Sequence, residues 1–173
     1  MGDGKGDVER TRIVRWGDPK ANAAAGRTMA GIDHLRAMMA GELPAPPIMA
    51  LMGIELVSVE PGIVAMAIAA GEHLYNPIGS VHGGVAATIL DSVMGCAVHS
   101  RLPLGRGYTT LEIKVNYVRA ITDSSGRVVA EGRLTHLGGR TAVADARLVD
   151  AAGRLCATAS TTCLVFDLPG AKA

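Results

Sequence analysis

The sequence predicts an α+β domain in which an antiparallel sheet curls around one long apolar helix. Three observations lead there. The chain has 173 residues, 49% of them hydrophobic and 19% charged, which suits one core with a modest extension and excludes wholesale disorder. Several segments alternate apolar and polar residues with a period of two, separated by turn signals at Pro61-Gly62, Gly138-Gly139 and residues 150–153. Finally, residues 85–100 are apolar nearly all round. A helix of that kind in a small domain has to be wrapped on most sides.

Taken in order, residues 1–26 are rich in Gly, Arg and Ala with no sustained period and read as an arm. Residues 28–40 place Met29, Ile32, Leu35, Met38 and Met39 at helical spacing, with Thr28 as a cap and Gly41 as a stop. The Pro-Ala-Pro-Pro run at 44–47 then breaks the chain, dividing an extension (1–45) from the main domain (46–168) and a tail (169–173). Residues 48–53 allow one more short turn of helix, and 53–60 and 63–70 are strands around Pro61-Gly62. An irregular stretch, 71–84, precedes the apolar helix, whose start falls near Ser80 or His82.

Downstream, residues 108–118 alternate cleanly, with Thr109, Leu111, Ile113, Val115 and Tyr117 on one face and Thr110, Glu112, Lys114 and Asn116 on the other. Residues 127–137 and 141–150 form a hairpin whose inward face is Ala142, Ala144, Ala146 and Leu148. The final strand covers 154–166, giving five or so strands in all.

Composition narrows the function. Seventeen basic and sixteen acidic residues leave a net charge of +1, whereas nucleic acid as main partner requires a basic surplus. No stretch reaches the roughly 18–20 apolar residues of a membrane span. The N-terminus has no apolar signal-peptide core, and Gly6 stands where a myristoylation motif has Ser or Thr. Cys96, Cys156 and Cys163 form no CxxC pair, and His34, His73, His99 and His136 are scattered without metal-ligand spacing. These features give the expectation of a cytoplasmic protein with no metal, membrane or nucleic-acid partner.

Two features between Asn76 and Asp91 go beyond structure. Asp91 lies about two turns into the apolar helix, with no Lys or Arg at helical spacing, and a buried carboxylate is costly unless hydrogen-bonded or paired. At the start of the helix, His82-Gly83-Gly84 lets a ligand approach backbone N–H groups on which the helix dipole favours developing negative charge. An oxyanion donor and a carboxylate are parts of an acyl-transfer site. At 1.5 Å per residue, however, Asp91 is about 12 Å along the axis from Gly83. Both reach one carbonyl only if a second subunit supplies one of them, so the expectation is a dimer with shared sites. Each feature alone also has a plain structural reading: Asp91 bonded to a neighbouring backbone group or Thr hydroxyl, Gly-Gly and Asn76-Pro77 as turns, His82 as a structural histidine. Cys96, five positions from Asp91, reads as a small core residue on a different side of the helix.

The run N-P-x-G-x-V-H-G-G-V-x-A-T-x-x-D, followed by T-L-E-I-K-V-N-Y-V-R and a G-G-R hairpin, resembles the PaaI-type hotdog-fold acyl-CoA thioesterases over about residues 46–166. The resemblance implies a helix inside a curved sheet, two sheets joined edge to edge in a homodimer, and a homotetramer. It implies hydrolysis of acyl-CoA to carboxylate and free coenzyme A without a cofactor, with Asp91 as general base or nucleophile. It further implies that the Gly83 N–H polarises the thioester carbonyl across the dimer interface and that Asn76 helps place the thioester or the water. Thr110 falls near the carboxylate and His82 is supportive. Gly84 adjoins the substrate, and Arg119 and Arg140 contact coenzyme A phosphates. Competing readings are a non-catalytic acyl-CoA-binding or regulatory protein of the same fold and, third, a hydratase, for which no convincing His and acid pair is placed.

Overall fold

The computed structural model describes residues 9–169, so the first eight residues of the expected arm and residues 170–173 of the expected tail lie outside it. The order of elements is helices α1 (Pro19–Ala25), α2 (Gly31–Met39) and α3 (Pro47–Met52), strands β1 (Ile54–Glu60) and β2 (Ile63–Ala69), helix α4 (Gly83–His99), then strands β3 (Arg106–Tyr117), β4 (Arg127–Leu137), β5 (Thr141–Val149) and β6 (Leu155–Asp167). The strands form one 6-stranded sheet in the order β1-β2-β4-β5-β6-β3, antiparallel at every pairing. β1 and β3 are therefore its edges.

Helix α4 packs on the concave face, as its all-round apolar sequence requires. Ile89, Leu90, Val93, Met94, Ala97 and Val98 are wholly buried there, each larger side chain contributing about 1.5–3 kcal/mol by leaving water. The inward hairpin residues Ala142, Ala144, Ala146 and Leu148 are buried as expected. Small residues set the distance between layers. A Cβ on Gly132 of β4 would lie 2.4 Å from the Val93 carbonyl oxygen, so sheet and helix backbones meet there in a contact that only glycine allows.

Three readings of the sequence need correction. Thr28 does not cap α2, which starts at Gly31 after Ala30; its hydroxyl donates instead to the Ala25 carbonyl at 2.9 Å. The stretch read as an arm contains α1, which Asp18 caps by accepting from the Lys20 N–H (2.8 Å) and Pro19 opens at its first position. Its seven residues are too few to show a helical period. The third concerns β3. Thr110 pairs with Cys163 and Glu112 with the adjacent Thr162, leaving Leu111 as the extra residue of a β-bulge. Tyr108 and Thr110 therefore face the helix together with Ile113 and Val115, while Leu111 is 59% exposed.

The extension docks on the C-terminal end of α4. The Gly31 N–H donates to the Leu102 carbonyl at 3.0 Å, Leu35 is buried, and His34 Nδ1 lies 3.2 Å from His99 Nε2. His34 Nε2 bonds Asn22 Oδ1 at 2.7 Å, and Asn22 Nδ2 donates to the Pro44 carbonyl, tying α1, α2 and the proline-rich turn together. Burial, and then each other's proximity, holds His99 down to about 4, and burial also lowers His34. Both rings are thus neutral around pH 7.

Candidate active site

Asp91 stands in the middle of α4, half-buried, and accepts a hydrogen bond from Thr110 Oγ1 at 3.0 Å. The bulge at Leu111 lets Thr110 share the inward face with Ile113 and Val115, as bulges beside functional groups often do. No ion pair to Asp91 occurs among the described residues. The carboxylate opens into a cavity of about 350 Å³ that it shares with Ser92, Cys96, Tyr108 and Thr110. Cys96, though about 140° round the helix from Asp91, lines the same cavity, because the cavity spans a wide arc of the helix surface. Burial, and secondarily the charge of Asp91, pushes the Cys96 thiol up to about 12. Burial likewise raises the Tyr108 phenol well above its usual range, with the cysteines and Asp91 adding to it. Neither group is an anion near neutral pH, and Cys96 is no thiolate nucleophile.

The N-terminal end of α4 is built differently. His82 is the N-cap, its Nδ1 accepting from the Gly84 N–H at 2.9 Å, which leaves the ring proton on Nε2. The Gly83 N–H donates to no group among the described residues. Tyr117 Oη donates to the Gly83 carbonyl at 3.1 Å, and a Cβ on Gly83 would stand 3.3 Å from the Tyr117 ring. Gly83, Tyr117 and Arg119 line a second cavity of about 350 Å³. Arg119 donates from Nε to the Leu155 carbonyl at 3.4 Å and is exposed.

Asn76 organises the loop that leads into this end. Its Oδ1 accepts from the Ile78 and Ser80 N–H groups (3.1 and 3.2 Å) and its Nδ2 donates to Ser80 Oγ. Arg140 lies exposed at the β4–β5 turn and lines neither cavity. The expected site residues therefore fall into two groups. Asp91 and Thr110 meet in one cavity, and Gly83, His82, Gly84, Asn76 and Arg119 gather at or beside the other end of the helix. Tyr108 and Tyr117 are additions from the structure. Tyr108 could be found from its position two residues before Thr110 on the same face, whereas nothing in sequence pairs Tyr117 with Gly83. Among the described residues no three His, Cys, Asp or Glu side chains are grouped to hold a metal ion, and no helix is long and apolar enough to cross a membrane.

A family profile described as the thioesterase superfamily matches residues 78–157, from the loop before α4 into β6. A solved structure of a conserved protein from Pseudomonas aeruginosa is 32% identical, covers 69% of this chain and 93% of its own, and superposes with a TM-score of 0.65. The chain belongs to the thioesterase superfamily. A 1,4-dihydroxy-2-naphthoyl-CoA hydrolase of Listeria monocytogenes is 26% identical over 66% of this chain and 91% of its own. The PaaI protein of Escherichia coli, at 17% identity, covers 80% of this chain and 96% of its own with a TM-score of 0.68, a likeness of fold. The sheet wrapped around α4 is thus the hotdog fold of these thioesterases, and a thioester hydrolase is the class of enzyme to which the chain is similar.

Proposed function

We propose that this thioesterase hydrolyses acyl-CoA to a free carboxylic acid and coenzyme A, with Asp91 of one subunit and the Gly83 N–H of another acting on the same thioester. The observation that carries this reading is the division of α4. A carboxylate held by Thr110 sits in a largely apolar cavity, and Gly83, whose N–H has no partner among the described residues, lines a different one about 12 Å along the axis. A thioester carbonyl is electrophilic enough to need only polarisation and an attacking oxygen. One preorganised oxyanion donor is worth about 10²–10³ in rate, and a positioned general base about 10²–10⁴. In this scheme Thr110 orients the carboxylate and His82 fixes the first turn of the helix. Asn76 shapes the loop beside Gly83, Gly84 keeps the approach open, and Arg119 and Arg140 are available to coenzyme A phosphates. The proposed assembly is a homodimer or a pair of them, and three unpaired thiols suit a reducing cytoplasm.

The test is thiol release from a panel of acyl-CoAs, followed by mixing of subunits. Asp91→Asn and Gly83→Pro are each expected to be nearly inactive as pure proteins. Co-refolded at equal amounts they regain about a quarter of wild-type turnover, because half the dimers then carry one intact site of two. Failure of the mixture to regain activity, with both variants folded and dimeric, would reject sharing of the site. Tight acyl-CoA binding by wild type without thiol release would favour the non-catalytic alternative.

A further inference from the structure

The cavity at Asp91 has a roof that the main domain does not supply. Its floor and walls are α4 and strands β1, β2 and β3, but Met38 and Met39 from the end of α2, and Ile48 and Met49 from α3, also line it. With Met66 of β2, four of the chain's eight methionines converge on this one space. The roof is anchored rather than draped. A Cβ on Gly31 would overlap the His99 carbonyl oxygen, so the start of α2 is in direct contact with α4, and the Asn22–His34–His99 chain of hydrogen bonds fixes it from behind. The N–H groups of Glu42 and Leu43 both donate to the Ala37 carbonyl, turning the chain back over the cavity before α3 begins.

We infer that residues 28–53 are the specificity-determining roof of the acyl pocket, and that the group held beneath them is a saturated aliphatic chain of medium length. The inference rests on the thioester-hydrolase reading given above and deepens it. Two properties of the cavity select this substrate class. Unbranched thioether side chains adapt to a flexible chain, and Tyr108 is the only aromatic ring among the described lining residues, so these residues offer no facing pair of aromatic rings to sandwich an aromatic acyl group. The volume, about 350 Å³, sets the length. At about 30 Å³ per small group it holds roughly twelve groups, of which the thioester oxygen, the sulfur and the attacking water take three, leaving about nine carbons. The expected range is therefore about six to ten carbons.

Thiol release is measured as kcat/KM for saturated acyl-CoAs of two to sixteen carbons and for one aromatic acyl-CoA, in wild type and in Met38→Trp, Met49→Trp, Met38→Ala and Met49→Ala. Wild type is expected to peak between six and ten carbons. Each Trp variant lowers the decanoyl-to-butyryl ratio by about tenfold or more, and each Ala variant raises the dodecanoyl-to-octanoyl ratio several-fold, since one methylene in a fitted apolar pocket changes discrimination by about 10–200-fold. The two positions lie on different helices, so misfolding of one variant leaves the other to decide. Hydrolysis with both ratios unmoved in every folded variant overturns the roof and leaves the hydrolase reading intact. A wild-type optimum at two carbons, at fourteen or more, or on the aromatic substrate overturns the medium-chain assignment. If no acyl-CoA releases thiol, the hydrolase reading fails. Calorimetric titration with butyryl-, octanoyl- and hexadecanoyl-CoA then judges the roof alone: tightest binding of octanoyl-CoA, lost in Met38→Trp, supports it, and binding without length preference, or no binding, overturns it.

Discussion

The two halves of α4 solve different problems with different materials. At its N-terminal end the chemistry belongs to the backbone: the Gly83 N–H, a cap from His82, and small residues that leave room for something to approach. Eight positions on, the chemistry belongs to a side chain, and a shell of other side chains surrounds it. Thr110 reaches Asp91 from a bulged strand, Cys96 and Tyr108 stay protonated beside it, and methionines from the extension cover it. A backbone donor needs only the start of a helix to aim it. A half-buried carboxylate needs a hydrogen-bond donor at a defined spot and walls around it, which takes residues from four or more separate elements. The first half can therefore be written in a short motif, whereas the second is assembled from distant parts of the chain.

This contrast is open to direct attack. The largest effect is expected from the side-chain half. Asp91→Asn is predicted to reduce kcat by about 10²–10⁴ with an unchanged circular dichroism spectrum, and near-normal turnover would remove Asp91 from the mechanism. Next comes the backbone half. Gly83→Pro deletes the N–H at the first helical position, where proline is well tolerated, and the extended His82 preceding it (φ −59°, ψ 135°) already suits a following proline. A fall in kcat of about 10²–10³ is expected, at the cost of a slight shift of the Tyr117 ring. Thr110→Val keeps the shape and deletes the donor to Asp91, so kcat should fall about tenfold with KM little changed. An unaltered kcat would make Thr110 a bystander.

The smallest effect tests the anchoring of the roof. His99 is held neutral in the folded chain at about 4 but titrates at 6.5 when unfolded. The unfolded state therefore binds more protons between those values, and stability is lost as pH falls through that window. From pH 7 to 4.5 this group should account for about 2 kcal/mol, measured by chemical denaturation. His99→Gln should flatten that part of the profile. An equally steep profile in the variant would place the acid sensitivity elsewhere.

How much was legible in the sequence follows from the same contrast. β4, β5 and the hairpin face of Ala142 to Leu148 were legible because alternation is a local signal, and β2 because a short apolar run follows the Pro61-Gly62 turn. So was α4, because an all-round apolar run has few other uses. The motif at its N-terminal end was visible because the residues lie together. The inward turn of Thr110 was not, since a bulge is decided by pairing with β6, some fifty residues later in the chain. Cys96 read as remote from Asp91 because helical angle alone ignores how wide a cavity can be. The role of Met38 and Met49 was hidden altogether. Their spacing says only that one helix face is apolar, and what that face covers depends on how Asn22, His34 and His99 dock it.

The unpaired Leu111 carries a consequence for heredity. Loss of a single codon inside a strand ordinarily turns every following side chain to the wrong surface. Removing this particular codon would instead restore a regular ladder with β6, because the partners of Thr110 and Glu112 are already neighbours, and would leave Tyr108, Thr110, Ile113 and Val115 pointing inward. At this one position in β3 a reading-frame-preserving deletion keeps the facing of the side chains, and with it the hydroxyl that steadies Asp91.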